Sequence, residues 1–129
     1  MNTGIRNRQI AVENEEIIKN GCYEAAGALF HFSHPLSLLA KAEIYEPKVL
    51  EALRGRMDSS DFPVRQGHIT VAEGESFDFP GDMVLNFANS FTPGGGYLYG
   101  ASSQEEALCR ESTLYTSLSG NEALPYYAR

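Results

Sequence analysis

The strongest constraint on the fold is a short apolar run at residues 83–88, which only Asn86 interrupts. An apolar run of this length without alternation is typical of a strand that is buried on both faces of a parallel or mixed sheet. Residues 89–93 end the run, a glycine triplet opens a loop, and the spacing of apolar residues then predicts a helix over residues 103–118. Because ligands bind at the carboxyl ends of strands in open α/β sheets, this strand, loop and helix predict a binding site.

The whole chain is predicted to be a single α/β domain in two parts. Residues 1–67 are mainly helical, and residues 68–129 hold the strand, the glycine loop and the helix that follows it. In the first part, Asn2 or Thr3 is predicted to cap a helix that runs to about Lys19 and is ended by Asn20 and Gly21. The remaining predicted elements are a short strand or hairpin at 23–32, helical turns at 36–42 and 47–53, a loop at 58–67 and a strand at 69–71.

The chain is acidic, with a formal net charge of −7 at pH 7. Attraction of a polyanion normally uses a basic surface, so nucleic-acid binding through a basic stripe is not expected, and an anionic ligand would be held by local backbone dipoles. Cys22 and Cys109 have neither metal nor redox spacing, and His31 and His34 lack further ligands at metal-site spacing. No apolar run reaches the length of a membrane span, and we therefore expect a cytoplasmic protein.

The glycine triplet consists of Gly94, Gly95 and Gly96, whose lack of Cβ atoms lets backbone N–H groups approach a ligand closely. Such a loop can form an anion-binding concavity, and the N-terminus of the following helix adds a partial positive charge. The spacing is neither that of a Walker A motif nor that of a dinucleotide-binding fingerprint. Taken alone, a glycine triplet indicates a tight turn more often than a ligand site.

A second triplet, Gln104, Glu105 and Glu106, follows Gly96 after a gap of seven residues. The glycine triplet, the gap and the Gln-Glu-Glu sequence resemble the motif of poly(ADP-ribose) glycohydrolases, and the flanking sequence resembles the microbial branch of that family. The flanking matches are residues 84–89, Pro93, residues 108–110, the pair Leu114 and Tyr115, and the N-terminal residues 8–11 and 16–18. The resemblance spans most of the chain, and residues 84–115 are its specific part.

The resemblance implies a role for each matched residue. Glu106 would be the catalytic acid, while Glu105 and Asn89 would hold the ribose next to the scissile bond. The glycine triplet would wrap the distal ribose and the adjoining diphosphate through its backbone amides, and Gln104 would belong to the same substrate site. The resemblance implies no metal and no other cofactor.

The resemblance also implies a macrodomain-like fold, with a mixed sheet flanked by helices and an N-terminal helical extension. Family members continue well past Arg129, so we expect the sheet of this chain to be truncated. The implied reaction is hydrolysis of ribose–ribose O-glycosidic bonds in poly(ADP-ribose), which releases ADP-ribose. The alternatives are a non-catalytic ADP-ribose-binding module, an inactive truncated remnant, or an enzyme that removes single ADP-ribose units. The implied partners are ADP-ribose, its polymer or an ADP-ribosylated protein.

The protonation of the two glutamates is left open by the sequence. Glycoside hydrolysis develops oxocarbenium character and needs a proton at the departing hydroxyl, which a glutamic acid can donate before it activates water as a carboxylate. The neighbouring carboxylate of Glu105 raises the pKa of Glu106, whereas the helix N-terminus lowers it. A structural role is the alternative, because Ser103 and Glu106 have the spacing of a capping box.

Several other residues near the motif are weaker candidates. Tyr97 and Tyr99 are predicted either to line a sugar or base site or to pack over the turn. Cys109 is predicted to be a small buried hydrophobe, and Arg110 is predicted to pair with a carboxylate and hold the helix. Asn86 is predicted to be a structural clasp, because a buried amide must find hydrogen-bond partners.

Overall fold

The computed structural model describes three segments of the chain, residues 2–32, 42–57 and 67–128. The first element, α1, spans Thr3–Asn20, and the side chain of Asn2 caps it by accepting a hydrogen bond from the Gly4 amide at 3.0 Å. Gly21 ends the helix in the left-handed conformation at φ 67°, and its N–H donates to carbonyl groups of the last turn. The predicted first helix and both of its ends are confirmed.

A β-hairpin follows α1 directly. Its strands, β1 (Cys22–Ala25) and β2 (Ala28–His31), pair antiparallel, with Cys22 opposite His31. The two turn residues have positive φ angles of 51° and 75°, as tight two-residue hairpin turns require. The predicted strand or hairpin is therefore a hairpin, and it forms the whole sheet within the described segments.

The second helix, α2, spans Pro47–Met57 and carries proline at its first position, where the missing N–H costs no hydrogen bond. The predicted helical start at Pro47 is confirmed, and the helix continues past residue 53. None of its residues is buried. The helical turns predicted at 36–42 and the loop predicted at 58–67 lie outside the described residues, except for the last residue of each.

Three short helices follow the glycine loop. They are α3 (Gln104–Glu111), α4 (Leu114–Ser119) and α5 (Leu124–Tyr127), and a 3-10 turn at Tyr97–Tyr99 precedes them. The prediction of one helix over residues 103–118 is wrong, because Ser112 interrupts it with an extended backbone. The Ser112 hydroxyl donates to the Leu108 carbonyl at 2.7 Å and accepts from the Leu114 amide at 3.2 Å, so it competes with the helical hydrogen bonds. The predicted stop at Gly120 is confirmed.

The strands predicted at residues 69–71 and 83–88 are not formed in the structure. The exposed apolar side chains of these segments are those of Ile69, Val71, Met83, Val84, Leu85 and Phe87. A strand needs the backbone of a neighbouring strand for its hydrogen bonds, and none lies beside these segments in the part of the chain that the structure describes. The apolar pattern therefore indicates that residues 83–88 suit the interior of a sheet. Whether they form a strand depends on the presence of a neighbouring strand.

A small core lies where α1 meets the 3-10 turn and α3. Its members are the buried Ala11, Tyr97 and Cys109, with Leu114, Tyr115 and Leu118 packed against them. The rings of Tyr97 and Tyr115 lie 4.9 Å apart between centroids. Leu114, Tyr115 and Leu118 of α4 therefore pack where α1, the 3-10 turn and α3 meet, and Tyr115 also lies against Gly94 of the glycine loop.

Two sequence expectations concern membranes and metals. No helix of the described segments has both the length and the apolar character that crossing a membrane requires. Within the same segments, no group of three or more His, Cys, Asp or Glu side chains is arranged to hold a metal ion. His31 is exposed on β2, and His34 lies outside the described residues.

Candidate functional site

The glycine loop has a backbone that only glycine adopts readily. Gly94 and Gly95 have φ angles of 64° and 55°, in the left-handed region. A Cβ atom at Gly94 would lie 2.7 Å from the ring of Tyr115, and one at Gly95 would lie 2.6 Å from Oε1 of Glu106. The loop therefore needs glycine both for its backbone angles and for its close contact with the side chains around it.

The 3-10 turn after the glycines attaches the loop to α1. A Cβ atom at Gly100 would lie 2.1 Å from the carbonyl oxygen of Gly4, which shows how closely the two backbones approach. The buried side chain of Asn7 donates to the Gly100 carbonyl at 3.4 Å. The hydroxyl of Tyr97 donates to the Ala11 carbonyl at 3.4 Å. These contacts hold the loop in place relative to the first helix.

Glu106 points its carboxylate into the glycine loop from the first turn of α3, and its side chain is only 5% exposed. Its Oε1 accepts a hydrogen bond from the Gly96 amide at 2.8 Å, and its Oε2 accepts one from the Ser103 hydroxyl. Burial alone would raise the pKa of Glu106, but the hydrogen bonds from Ser103 and from the Gly96 amide, together with the charge of Arg110, outweigh burial and lower it. The resting form of Glu106 is therefore the carboxylate.

The predicted capping box at Ser103 and Glu106 is wrong in its hydrogen bonds. Ser103 is the N-cap residue of α3, but its side chain makes no hydrogen bond to the helix backbone. Its hydroxyl donates to the Glu106 carboxylate instead. The two side chains that a capping box directs at the helix backbone hold each other instead, and the second oxygen of Glu106 accepts from the Gly96 amide.

Glu105 is also buried, with 4% of its side chain exposed, and it binds the segment before the glycines. Its Oε2 accepts from the backbone amide of Asn89 at 2.8 Å, and its Oε1 accepts from the side-chain amide of Asn86 at 3.3 Å. The side chain of Asn89 accepts from the amides of Phe91 and Thr92, both at 2.8 Å, and so shapes the turn into the loop. Asn86 thus donates to Glu105 as a clasp would, while its buried Oδ1 has no hydrogen-bond partner among the described residues, and Asn89 contacts Glu105 through its backbone amide.

Gln104 binds the extended backbone of the same segment. Its side chain accepts a hydrogen bond from the Phe87 amide at 3.0 Å and donates to the Leu85 carbonyl at 2.8 Å. It also donates to the hydroxyl of Ser76 at 3.2 Å. Because Gln104 bonds two alternate residues on one edge of the segment, it takes the place that a neighbouring strand would occupy.

These contacts bring the residues of the sequence motif together at the start of α3. Gly95 and Gly96 lie against Glu106, and the Cβ position of Gly95 is 3.2 Å from Oε2 of Glu105. Gln104 also lines a cleft of about 350 Å³. Its other lining residues include Ser76, Phe79, Pro80, Val84, Leu85 and Phe87. The arrangement places two carboxylates against a closely approached backbone loop, and Gln104 connects this cluster to the cleft.

The weaker candidate residues differ in their burial and in their contacts. Tyr97 is 1% exposed and packs in the core, whereas Tyr99 is 80% exposed. Cys109 is fully buried, and burial raises the pKa of its thiol to about 12, as expected of a small hydrophobic side chain. Arg110 donates to the Ala101 carbonyl at 2.7 Å, and its charge stabilises the Glu106 carboxylate.

Sequence reasoning missed the polar face by which α1 supports the site. Asn7, Asn14 and Glu15 all bond to the second half of the chain, and Asn14 donates to the Arg110 carbonyl at 2.7 Å. The signal was present, because Asn7 and Asn14 are seven residues apart and so lie on one face of a helix. Two amides on the same face as the buried Ala11 indicate hydrogen-bond partners outside the helix.

Comparison with known proteins gives a consistent result. Residues 11–129 match the family described as microbial-type PARG, catalytic domain. The poly(ADP-ribose) glycohydrolase from Thermomonospora curvata is 34% identical, with a TM-score of 0.75, over 95% of this chain and 48% of that chain. The same bacterial enzyme bound to the inhibitor ADP-HPD is 32% identical, with a TM-score of 0.75, over 95% of this chain and 46% of that one. Among curated proteins no relative is found.

This chain therefore spans about half the length of the solved relatives that it matches. The likeness in structure covers 95% of this chain, and it confirms the predicted α/β fold class. The family match includes the glycine loop, α3 and the hairpin. The chain belongs to the family of microbial-type poly(ADP-ribose) glycohydrolase catalytic domains.

Proposed function

We propose that this protein hydrolyses ribose–ribose O-glycosidic bonds in poly(ADP-ribose) and releases ADP-ribose, with Glu106 as acid and base. The observation that carries the proposal is the direct hydrogen bond from the Gly96 amide to Glu106. It joins the two halves of the motif, the glycine loop and the glutamate pair, in one buried cluster. The names of the solved relatives, one of them bound to the inhibitor ADP-HPD, support the same substrate class.

The proposed chemistry begins from an ionised Glu106. A bound substrate would bring diphosphate charge and exclude water, and both effects raise the pKa of a nearby carboxyl. Glu106 would then donate a proton to the departing ribose hydroxyl as the oxocarbenium-like transition state forms. The resulting carboxylate would accept a proton from the attacking water, so one residue would serve both steps.

Glu105 and Asn89 are proposed to hold the ribose next to the scissile bond. Both oxygens of Glu105 already accept hydrogen bonds from Asn86 and Asn89. Each carboxylate oxygen has a second lone pair, so a ribose hydroxyl can be added without breaking these contacts. Gln104 is proposed to belong to the same substrate site by forming one wall of the neighbouring cleft.

The glycine triplet is proposed to contact the distal ribose and the diphosphate through its amides. In the structure the Gly95 amide donates to the Thr92 carbonyl at 3.0 Å, and the Gly96 amide donates to Glu106 at 2.8 Å. A ligand oxygen at Gly96 would therefore compete with Glu106 for this amide. Such competition would remove one of the contacts that lower the pKa of Glu106, and it would favour the protonated acid.

The test is release of ADP-ribose from labelled poly(ADP-ribose) by the purified chain, compared between wild type, Glu106→Gln and Glu111→Gln. Glu111 is exposed at the other end of α3 and serves as the matched control. Loss of an acid/base group should lower the rate about a hundredfold or more in Glu106→Gln and leave Glu111→Gln unchanged. Equal rates in Glu106→Gln and wild type would remove Glu106 from the mechanism.

A non-catalytic ADP-ribose-binding module is the second candidate, because the chain spans about half the length of the solved relatives. Calorimetric titration with ADP-ribose separates the two candidates when no hydrolysis is detected. Heat of binding without product release would support the binding module, and a folded protein with no heat would contradict both. Substrate profiling with ADP-ribosylated protein tests the removal of single ADP-ribose units.

The two cysteines are free thiols, which supports a reducing, cytoplasmic setting.

A further inference from the structure

The two carboxyl oxygens of Glu106 have different surroundings. Oε1 accepts from the Gly96 amide at 2.8 Å, and a Cβ atom at Gly95 would come within 2.6 Å of it, so this oxygen is packed against loop backbone. A backbone N–H can donate a hydrogen bond but cannot accept one. A proton on Oε1 would face that donor, and Oε1 is therefore the oxygen that remains unprotonated.

Oε2 faces the hydroxyl of Ser103. A hydroxyl is both a donor and an acceptor, so Ser103 can donate to the carboxylate and, after rotation about its C–O bond, accept from the carboxylic acid. The contact can therefore persist in both protonation states of Glu106. Ser103 is exposed, and its hydroxyl makes no hydrogen bond to the helix backbone that would compete with this contact.

We propose that the mobile proton of Glu106 resides on Oε2 and that Ser103 is the positioning residue that holds this oxygen. The inference deepens the proposed function and rests on it for the identity of the proton acceptor. The departing ribose hydroxyl approaches from the exposed Ser103 side, because the glycine loop closes off Oε1.

The proton balance of the two steps is simple. In the first step the bond between the anomeric carbon and the departing ribose oxygen breaks, and its electron pair stays on that oxygen, which takes the proton from Oε2. The anomeric carbon becomes oxocarbenium-like, and Ser103 turns to donate to the new carboxylate. In the second step the water oxygen bonds to the anomeric carbon while one water proton passes to Oε2. Glu106 ends in the state in which it began, and no oxidant or metal takes part.

Other ionisable groups lie near Glu106. Arg110 and Cys109 of α3 interact with its charge, and Glu105 precedes it in the chain. Glu15 of α1, Tyr97 of the 3-10 turn and Tyr115 of α4 interact with Cys109. Within the described residues, none of these groups hydrogen-bonds to Oε2, whose side-chain partner is Ser103. A change at Ser103 therefore reports on Oε2 more directly than a change at any of them.

The first test is an NMR titration of the Glu106 side-chain carboxyl carbon in the ligand-free chain. Ser103→Ala should raise the titration midpoint by about one pH unit, since it removes a hydrogen bond to the charged form. Ser103→Thr keeps a hydroxyl and should restore the midpoint of the wild type. Ser102→Ala, a change at the exposed neighbouring serine, is the matched control. An unmoved midpoint in a folded Ser103→Ala protein would overturn the inference.

The second test separates kcat from KM in the hydrolysis of poly(ADP-ribose). Ser103→Ala should lower kcat about tenfold with KM within about twofold, and Ser103→Thr should recover kcat. A change confined to KM would contradict a role at the transferred proton. If wild type releases no ADP-ribose, the proposed function fails, while the titration still decides whether Ser103 holds the titrating oxygen.

Discussion

The hydroxyl oxygen of Tyr97 lies 3.3 Å from Oε1 of Glu15 and 3.4 Å from the carbonyl oxygen of Ala11, so one side chain of the loop region bonds to two residues of α1. Burial, followed by the charge of Glu15, raises the pKa of Tyr97 to about 12. The phenol therefore stays protonated at neutral pH and remains a hydrogen-bond donor. Tyr97, which directly follows the glycine triplet, is in this way bonded to residues of α1 that lie far from it in the sequence.

Replacement of Tyr97 by Phe should lower the free energy of unfolding by about 1–2 kcal/mol, because the ring is kept while the carboxylate of Glu15 loses a donor. Urea unfolding followed by circular dichroism measures the change. Tyr99→Phe is the control, since the side chain of Tyr99 is 80% exposed. Equal losses in the two variants would contradict a specific role for the Tyr97 hydroxyl.

Glu15 should make stability depend on pH. Burial raises its pKa above the ordinary value of 4.5, with the hydrogen bond from Tyr97 opposing burial. Because the pKa of Glu15 is raised in the folded state, its contribution to the free energy of unfolding is complete at pH values below the ordinary pKa. This contribution is lost as the pH rises through the raised pKa. Glu15→Gln should therefore gain stability relative to wild type as the pH rises across that window. Urea midpoints at several pH values measure this, with the exposed Glu16→Gln as control. A constant difference across the window would be inconsistent with the raised pKa.

Replacement of Gly95 by Ala should both destabilise the protein and displace Glu106. The new Cβ atom would lie 2.6 Å from Oε1 of Glu106, and the φ angle of 55° adds strain of about 1–2 kcal/mol. Gly21→Ala is the matched control, because Gly21 has a φ of 67° and no atom within 4 Å of the added Cβ position. Unfolding experiments should show a larger loss for Gly95→Ala. An equal loss of unfolding free energy in the two variants would mean that the contact between the new Cβ atom and Glu106 does not destabilise the protein.

Replacement of Gln104 by Leu should release the segment before the glycine loop. The variant removes the acceptor for the Phe87 amide and the donor to the Leu85 carbonyl. Hydrogen exchange at the Phe87 amide should accelerate about tenfold, which corresponds to one hydrogen bond. Ser76→Ala, which removes only the hydroxyl that Gln104 donates to, should leave exchange at Phe87 unchanged. Unaltered exchange in Gln104→Leu would show that another contact holds the segment.

Much of the local structure could be predicted because its causes are local. Asn2 and Gly21 mark the ends of α1 through their own capping hydrogen bonds, and Pro47 starts α2 through its fixed φ angle. The break at Ser112 was missed, because the apolar spacing continues across it while the serine side chain competes for the helix backbone.

The apolar run at residues 83–88 shows the opposite case. Its composition predicts a strand, but strand formation depends on a neighbouring backbone rather than on the segment itself. In the structure that neighbour is the side chain of Gln104, which bonds to only two residues of the segment. A one-dimensional pattern contains no information on which group will provide those hydrogen bonds.

The order and spacing of the two triplets alone indicated the family and the residues to examine, because a motif is a property of the chain. The charge state of Glu106 and the partner of each of its oxygens were decided only when folding buried the carboxylate between Ser103 and Gly96. Burial and hydrogen bonds act on its pKa in opposite directions, and their balance depends on distances that exist only in the folded molecule.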